Sequence, residues 1–419
     1  MKSYKYSLFP IAVAAVLLLS GCSDDKDPVT DDAPAKYVPI ELTWPERAIV
    51  TSQNDFSLAM FQKLSAKNED VNFMASPLSV SMAMSMLANG ANGETRDEII
   101  EALGFDKENL DEVNLFNQRI TKYLKEVDNT SKLSLANSIW IDKSLSVYDD
   151  FISVNKASYG AEIFNVPLSS EQTRKEINKW ASDKTEGMIP EIFKEAPGGA
   201  VCLMNALFFD GKWKNKFDKA LTAEGDFHNA DGSLSHPEMM KAPDCSFLGL
   251  YDDKGATWIN LVYGNGAYSI DLVLPDEGKS ITEYISSLSK EEWLELSRDY
   301  ERELYKGSIT LPKFAISSEQ DLQGILRQLG IEKAFESGLA DFSLMTPQKM
   351  MIDKVKQVSE IRFDEDGTKA ATVTAVEVDT SAGVITRPQL DFVFDRPFAF
   401  IIREYASNCM LFMGCVNKL

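Results

Sequence analysis

The sequence predicts one large α+β domain with mixed sheets over residues 46–419, and three observations favour it. Helical patterns are concentrated early in the chain, and strand patterns dominate the later part. The 419 residues are 44% hydrophobic, which is enough to build a large core. The predicted elements are too interleaved along the sequence for two domains that fold separately.

Residues 1–21 are predicted to be a lipoprotein signal peptide. Lys2 and Lys5 form a short basic region, and the apolar run that follows is too short to cross a bilayer comfortably. Leu-Ser-Gly-Cys at residues 19–22 resembles the bacterial lipobox, in which the signal is cleaved and the new amino-terminal cysteine, here Cys22, carries a lipid. A plain signal peptide followed by an incidental cysteine is the alternative.

Residues 22–45 are predicted to be a flexible acidic tether, because they are rich in Asp, Pro, Thr and Ala and have little to bury. Residues 23–27 resemble the acidic patch with which some envelope lipoproteins reach the outer surface; a generic solvated linker is the alternative. We therefore expect export to the cell envelope and anchoring through Cys22, with the outer membrane as the expected location. The sequence does not specify which leaflet holds the lipid or whether the protein is exposed on the cell surface.

Helices are predicted from apolar residues at helical spacing and from end signals. Ser76 is a good N-cap, Pro77 suits the first helical position, and Gly90 ends a helix that is apolar on nearly all sides and should be buried. The other predicted helices cover residues 54–66, 95–103, 148–158, 171–184, 281–288, 290–298 and 322–329.

Strands are predicted from alternation or from short apolar runs. The run at residues 201–209 contains one polar residue, Asn205, and a buried asparagine needs hydrogen-bond partners. The other predicted strands cover residues 71–75, 133–141, 239–248, 258–262, 268–274, 308–316, 354–363, 398–403 and 410–416.

The stretch after Gly367 alternates with period two, which is typical of a half-buried strand. Its even positions are all small or β-branched, and they are Thr368, Ala370, Thr372, Thr374, Val376, Val378 and Thr380. Its charged residues, all at odd positions, are Lys369, Glu377 and Asp379. No tight turn follows, so the strand lacks an evident pairing partner. An unpaired strand is an aggregation hazard, so we expect the fold to provide a site that can accept it. An ordinary internal strand followed by a loop is the alternative.

Five motifs in register resemble those of the serpin family, from about residue 51 to residue 419. They are Asn72 with Ser76-Pro77-Leu78-Ser79, Asn205 with Phe208-Phe209-Asp210-Gly211-Lys212-Trp213, Leu311-Pro312-Lys313-Phe314, Glu365-Asp366-Gly367-Thr368, and Phe394-Asp395-Arg396-Pro397-Phe398. The resemblance implies a fold with three β-sheets, about nine helices, a metastable native state and an exposed reactive-centre loop. We expect no cofactor and no enzymatic activity.

In inhibitory serpins the target endopeptidase cleaves this loop and becomes an acyl-enzyme, and the freed strand inserts into the main sheet and distorts the enzyme. The alternation indicates that residues 368–380 can insert, because every inward position is small or β-branched. A charged inward side chain would be buried without a partner, and none occurs here. We therefore predict an inhibitor that acts as a suicide substrate. A non-inhibitory relative with a binding or carrier role is the alternative.

The resemblance assigns three groups of site residues. The hinge, at the base of the loop, is Glu365, Gly367, Thr368, Ala370, Ala371 and Thr372. The shutter, a polar cluster that controls opening of the main sheet, is Ser76, Ser79, Asn205 and Gln357, the last standing where most members have a histidine. The breach, where the strand begins to insert, is Trp213, Lys313 and Glu365, with Lys313 and Glu365 expected to pair.

The position of the reactive bond can be counted from either end of the loop, and the two counts give different bonds. Counting forward from Gly367 with the family's usual spacing reaches Ser381-Ala382, and counting back from Pro397 reaches the neighbourhood of Thr386-Arg387. We favour Ser381-Ala382, because a strand from Thr368 to Ser381 spans about 46 Å at ~3.3 Å per residue and the alternation ends there. A small residue at the cut favours an elastase-like serine protease or a papain-like cysteine protease as the partner.

The net charge of −21 argues against nucleic acid or an anionic bilayer surface as a partner. A membrane is therefore expected only through the lipid, and the protein is expected to be a monomer. Four cysteines follow Cys22 without metal-ligand spacing, and with only two histidines no metal site is expected. We expect Cys202, Cys245, Cys409 and Cys415 to be buried free thiols. A disulfide between two of them is the alternative in an exported protein.

A serine hydrolase of the penicillin-binding type is a further alternative. The pattern S-x-x-K occurs at residues 153–156 and 287–290, and Lys184-Thr185 begins a K-T-G triplet that Glu186 breaks. The pattern is loose enough for both matches to arise by chance, and two histidines offer little for a catalytic triad.

Overall fold

Nine helices are found in the part of the chain that the structure describes. The structure is a computed structural model and describes residues 34–298, 302–367 and 390–419. The helices are α1 (Trp44–Lys67), α2 (Pro77–Gly90), α3 (Gly93–Ala102), α4 (Leu110–Glu126), α5 (Asp149–Tyr159), α6 (Glu171–Lys184), α7 (Ile281–Ser287), α8 (Lys290–Leu296) and α9 (Gln323–Gln328). Helix α4 lies on a stretch without a predicted element, although Val113, Ile120 and Leu124 follow helical spacing and are buried.

Sixteen strands form three sheets in the same residues. They are β1 (Phe73–Ala75), β2 (Lys132–Asp142), β3 (Glu162–Val166), β4 (Val201–Asp210), β5 (Ala223–Glu224), β6 (Phe227–His228), β7 (Leu234–Ser235), β8 (Glu238–Tyr251), β9 (Ala256–Val262), β10 (Tyr268–Pro275), β11 (Glu303–Pro312), β12 (Phe314–Asp321), β13 (Lys354–Phe363), β14 (Leu390–Val393), β15 (Phe398–Glu404) and β16 (Met410–Val416). A nine-stranded sheet has the order β1-β16-β15-β10-β9-β8-β11-β14, with β5 beside β8; β6 and β7 pair separately. The predicted α+β fold with three sheets is confirmed.

The five-stranded main sheet, in the order β12-β13-β4-β2-β3, carries the functional geometry. Its strands β4 and β13 are parallel neighbours, and each pairs antiparallel with its other neighbour. One face, with Leu203 and Val355, belongs to the large core that includes α2; the other, with Met204 and Val358, packs with α6. β4, the central strand of the sheet, is largely apolar along its length, as expected for a strand covered on both faces.

One strand prediction is wrong. Residues 308–316 belong to two strands in different sheets, β11 and β12, which are separated by Lys313. Only β12 alternates strictly in burial, and the apolar positions change from odd residues (Ile309, Leu311) to even residues (Phe314, Ile316) across the junction. Pro312 lacks the backbone donor that a continuing ladder needs, and the Lys313 N–H donates instead to the Glu238 carbonyl at 2.7 Å.

Helix α1 begins at Trp44, ten residues before the predicted start at residue 54, because Thr43 and Glu46 form a capping box. Before it, residues 34–43 form neither helix nor strand but contact the domain; Tyr37 Oη, for example, donates to Glu404 Oε1 at 2.8 Å. The predicted tether of residues 22–45 thus overlaps chain that contacts the domain. The predicted signal peptide and Cys22 lie outside the described residues.

The four cysteines of the described residues are free thiols. Three are buried, and Cys245 is half-buried. Burial raises the pKa of the Cys202 thiol to about 12 and that of Cys245 to about 11, so both are protonated at neutral pH. In the same part of the chain, no helix is long and apolar enough to span a membrane.

Candidate functional site

Ser76 joins helix α2 to the main sheet through Gln357. The Ser76 side chain caps α2 by accepting a hydrogen bond from the Ser79 backbone N–H at 3.3 Å, and Pro77 occupies the first helical position. The Ser76 N–H donates to Gln357 Oε1 at 2.7 Å, and its carbonyl accepts from Gln357 Nε2 at 3.0 Å. A neutral amide supplies both a donor and an acceptor, so Gln357 satisfies both backbone groups.

This chain of polar contacts continues across β13, β4 and β2. Gln357 and Asn205 are paired in register, and Gln357 Nε2 lies 3.4 Å from Asn205 Oδ1. Asn205 Nδ2 donates to Asn137 Oδ1 at 2.6 Å, and Asn137 Nδ2 donates to the Tyr159 carbonyl at 3.3 Å. Asn137 is missing from the predicted shutter, although the signal that marks Asn205, an amide within an apolar strand, is present there too.

Ser79 Oγ and Ser359 Oγ are among the buried serine hydroxyls that have no hydrogen-bond partner in the described residues. Ser79 was predicted as a shutter residue, but its backbone rather than its hydroxyl takes part in the contacts. Ser359 lies on β13, two residues beyond Gln357, and was not predicted. A buried hydroxyl without a partner costs about 1–3 kcal/mol, so the seam, the line of contact between β4 and β13, leaves the Ser359 hydroxyl unsatisfied.

The seam is open at one end, where Gly367 occupies the gap. The ladder between β4 and β13 stops at the pair Phe208 and Glu360, although both strands continue. Beyond that pair, Gly367 forms antiparallel bridges to Lys212 on one side and to Asp364 on the other. One residue of an additional strand is therefore already present between the segments that continue β4 and β13.

Trp213 supports the turn that ends at Gly367. Its backbone N–H donates to the Asp366 carbonyl at 3.2 Å, and its indole N–H donates to the Asp364 carbonyl at 2.9 Å. The indole ring is stacked on Tyr263 with 4.5 Å between ring centroids. Gly367 has a φ of +109°, and a Cβ there would lie 2.5 Å from the Trp213 nitrogen, so only glycine fits.

Lys313 and Glu365 approach each other beside this turn. Lys313 Nζ lies 3.4 Å from Glu365 Oε2 and 3.6 Å from Glu238 Oε2. Glu365 Oε1 also accepts from Thr222 Oγ1 at 2.8 Å, and its carbonyl accepts from the Phe217 N–H at 3.0 Å. Burial alone would raise the pKa of Glu365, but hydrogen bonds from its own backbone, Thr222 and Lys313 outweigh burial and lower it. The carboxylate is therefore charged at neutral pH.

Asp366 is paired with two lysines that sequence reasoning missed. Asp366 Oδ1 lies 3.1 Å from Lys216 Nζ, and Oδ2 is paired with Lys219 Nζ. The hydrogen bond from Lys219 is the largest influence on the pKa of Asp366 and, with Lys216, lowers it despite partial burial. Both lysines lie in the segment after Trp213, at or before a short 3-10 turn (Lys219–Leu221).

The structure thus brings together two of the predicted groups. Ser76, Asn205 and Gln357 meet at the shutter, and Trp213, Lys313, Glu365 and Gly367 meet at the breach. Ser79 lies beside Ser76 and contributes its backbone N–H but not its hydroxyl. The predicted residues that lie outside the described part of the chain are Thr368, Ala370, Ala371, Thr372, Ser381, Ala382 and Cys22.

The two S-x-x-K matches have no catalytic geometry. Ser287 Oγ donates to the Tyr284 carbonyl at 2.7 Å, and Lys290 is paired with Asp55 at 3.3 Å. The serine and lysine of the first match, at residues 153 and 156, are exposed on α5. The Ser287 hydroxyl is therefore engaged with a carbonyl and not with a base.

Comparisons with known proteins agree on one family. A family model described as serpin (serine protease inhibitor) matches residues 51–419. Alpha-1-antitrypsin from Meriones unguiculatus is 30% identical over 370 residues, which cover 86% of this chain and 88% of that protein.

Two solved structures are similar over nearly their whole length. The thermophilic serpin tengpin, in its native state, has a TM-score of 0.78 at 29% identity, and the match covers 92% of this chain and 98% of that one. Human thyroxine-binding globulin has a TM-score of 0.80 at 25% identity, and the match covers 89% of this chain and 99% of that one.

Proposed function

The chain belongs to the serpin family, and we propose that it inhibits endopeptidases as a suicide substrate. A target protease cleaves the reactive-centre loop and stays attached as an acyl-enzyme. Residues 368–380 then insert between β4 and β13 and carry the protease along the main sheet. In this scheme the protein is an inhibitor that is consumed, and not an enzyme.

The observation that carries this function is the position of Gly367 at the open end of the seam. If the antiparallel pairing of these two bridges continues without a bulge, it sets the register of the inserted strand. The residue n positions after Gly367 then faces residue 212 − n on the β4 side and residue 364 − n on the β13 side. At n = 4, Ala371 lies between Phe208 and Glu360, which already face each other. The seam needs to widen by one strand, about 4.8 Å, and neither strand has to slide.

The same register matches polar groups of the seam with polar residues of the loop. At n = 7, Thr374 lies between Asn205 and Gln357, where it replaces the contact between these two amides. At n = 5, Thr372 faces Ser359, whose hydroxyl has no partner in the described residues. Because directly paired residues share a face, the even loop residues turn toward the face that carries Gln357.

The register also relates the length of the loop to the length of the sheet. At n = 11, Val378 faces Val201, the first residue of β4. Ser381, three residues later, lies just past the far end of the strand. A protease attached there has crossed the whole sheet, which supports Ser381-Ala382 as the reactive bond.

A panel of serine and cysteine proteases tests the proposed function. The purified protein is incubated with each enzyme, boiled in detergent and separated by electrophoresis. We expect a covalent band at the summed mass with an elastase-like or a papain-like enzyme. Cleavage without any such band across the panel would favour a carrier role, and turnover of added substrates would favour a hydrolase.

The cut is predicted to follow Ser381, within a window from Thr380 to Val384. The peptide released from the carboxyl end of the covalent complex should therefore begin at Ala382 or within this window. Its mass, measured by mass spectrometry, locates the bond. A peptide that begins at Arg387 or Pro388 would contradict the register, because the strand would then overrun the sheet.

We further propose that the protein is a bacterial envelope lipoprotein anchored through Cys22. The support comes from the sequence alone, from the lipobox and the acidic tether. Replacing Cys22 by serine should release the protein from washed membranes, because the tether has no apolar surface to hold it there. Cys245→Ser, which removes a thiol of the domain, is the matched control and should stay in the membrane fraction. Retention of Cys22→Ser would show that another feature anchors the chain.

A further inference from the structure

We propose that Asp366, with Lys216 and Lys219, is a positioning group that holds Gly367 at the open end of the seam and speeds insertion. We call these three residues the clasp. This role rests on the proposed function, because it concerns the step after loop cleavage. The clasp is distinct from the pair of Lys313 with Glu365, because Lys313 directly precedes β12, whereas the clasp lysines follow β4.

Both carboxylate oxygens of Asp366 are engaged. Oδ1 lies 3.1 Å from Lys216 Nζ, and Oδ2 is paired with Lys219 Nζ. The Asp366 side chain is 15% exposed and that of Lys216 is 18% exposed, so solvent screens their attraction less than that of an open surface pair. The clasp therefore joins the end of β13 to the segment that follows β4.

The backbone passes this restraint on to Gly367. The Asp366 N–H donates to Asp364 Oδ1 at 3.0 Å, and its carbonyl accepts from the Trp213 N–H at 3.2 Å. The Gly367 N–H donates to the Asp364 carbonyl at 3.2 Å, which closes the turn. With Asp366 fixed on both its side chain and its backbone, Gly367 is held between Lys212 and Asp364.

The clasp does not have to break when the strand inserts. Gly367 already separates Lys212 from Asp364, so the sheet at this end has the width of the expanded state. Widening is needed only from the pair Phe208 and Glu360 onward. The clasp thus pre-organises the first residue of the new strand in both states, and this lowers the entropy lost when pairing begins.

Insertion competes with hydrolysis of the acyl-enzyme in the proposed mechanism. A less ordered turn delays the first pairing, and more molecules are then cleaved without trapping the protease. Asp366→Asn keeps the size of the side chain and removes its charge. We expect at least a threefold rise in the number of inhibitor molecules consumed per trapped protease. Asp366→Asn should still gain as much heat stability on cleavage as wild type does, because the clasp is present in both forms and the inserted strand is the same.

Salt separates positioning from general destabilisation. Raising the ionic strength should bring the wild-type stoichiometry toward that of Asp366→Asn and leave the variant unchanged, because salt screens the lysine attraction. Asp366→Glu should restore part of the wild-type behaviour. Asp231→Asn, which removes the carboxylate paired with Lys418 elsewhere on the surface, is the matched control and should behave as wild type.

The outcomes distinguish the clasp from the proposed function. Wild-type stoichiometry for Asp366→Asn at low salt would overturn the positioning role. The positioning role would also be overturned if the stoichiometry of Asp366→Asn rose at every salt concentration and the intact variant unfolded at a lower temperature than wild type. If wild type itself forms no covalent complex and gains no heat stability on loop cleavage, the proposed function has failed instead.

Discussion

Replacing Thr368 by arginine should turn the protein from an inhibitor into a substrate. In the register proposed for the inserted strand, residue 368 would lie between Gly211 and Phe363, and Phe363 belongs to the main core. A guanidinium at this position would be buried without a partner, at a cost of about 3 kcal/mol or more. If this cost falls on the step that begins insertion, it slows insertion by about 100-fold or more. The protease then escapes by hydrolysis.

The measurement is the number of inhibitor molecules consumed per trapped protease. For Thr368→Arg it should rise at least tenfold, while the intact variant unfolds at the wild-type temperature. Lys369→Arg is the matched control, because it carries the same group at the next position, on the opposite face beside the exposed Arg362. That control should inhibit as wild type does. Complex formation by Thr368→Arg at wild-type stoichiometry would refute insertion in this register.

Replacing Glu365 by lysine should open the breach and cause polymerisation. The new ammonium group would face Lys313, and Thr222 would lose its acceptor. The Glu365 side chain is 6% exposed, so water cannot fully replace these contacts. We expect the free energy of unfolding to fall by about 1–3 kcal/mol. An opened seam would also accept the loop of a second molecule as a strand.

Size-exclusion chromatography after mild heating measures this effect. Glu365→Lys should lose its monomer peak to oligomers at a temperature at which wild type stays monomeric. Glu238→Lys is the matched control, because Glu238 also approaches Lys313, at 3.6 Å, but is 62% exposed. This control should stay monomeric. Identical traces for Glu365→Lys and wild type would show that the contact between Glu365 and Lys313 does not hold the breach closed.

Local signals were enough to predict part of the site. Ser76 with Pro77 marks the start of a helix, and Asn205 is an amide within an apolar strand, so each is visible in its own few residues. Gln357 has no such signal and was predicted only through the family resemblance. Asn137 carries the signal of Asn205, but its partner is decided by how β2 pairs with β4, which the sequence of neither strand specifies.

The breach was harder to predict from sequence. Lys216 and Lys219 resemble ordinary surface lysines, and their proximity to Asp366 depends on the path of the chain after β4. The junction at Lys313 was missed because residues 308–316 contain apolar residues throughout, although these change from odd to even positions across it. The register of the inserted strand likewise depends on the bridges of Gly367, and no pattern within residues 368–380 specifies it.

Thermal unfolding before and after cleavage of the loop tests insertion most directly. The loop can be cut by any protease that the protein does not trap, and both forms are then heated under the same conditions. Insertion adds a central strand whose backbone groups pair on both sides, so we expect the cleaved form to unfold at least about 10 °C above the intact form. Cleaved Thr368→Arg should gain much less. Unfolding of cleaved and intact wild type at the same temperature would contradict insertion between β4 and β13.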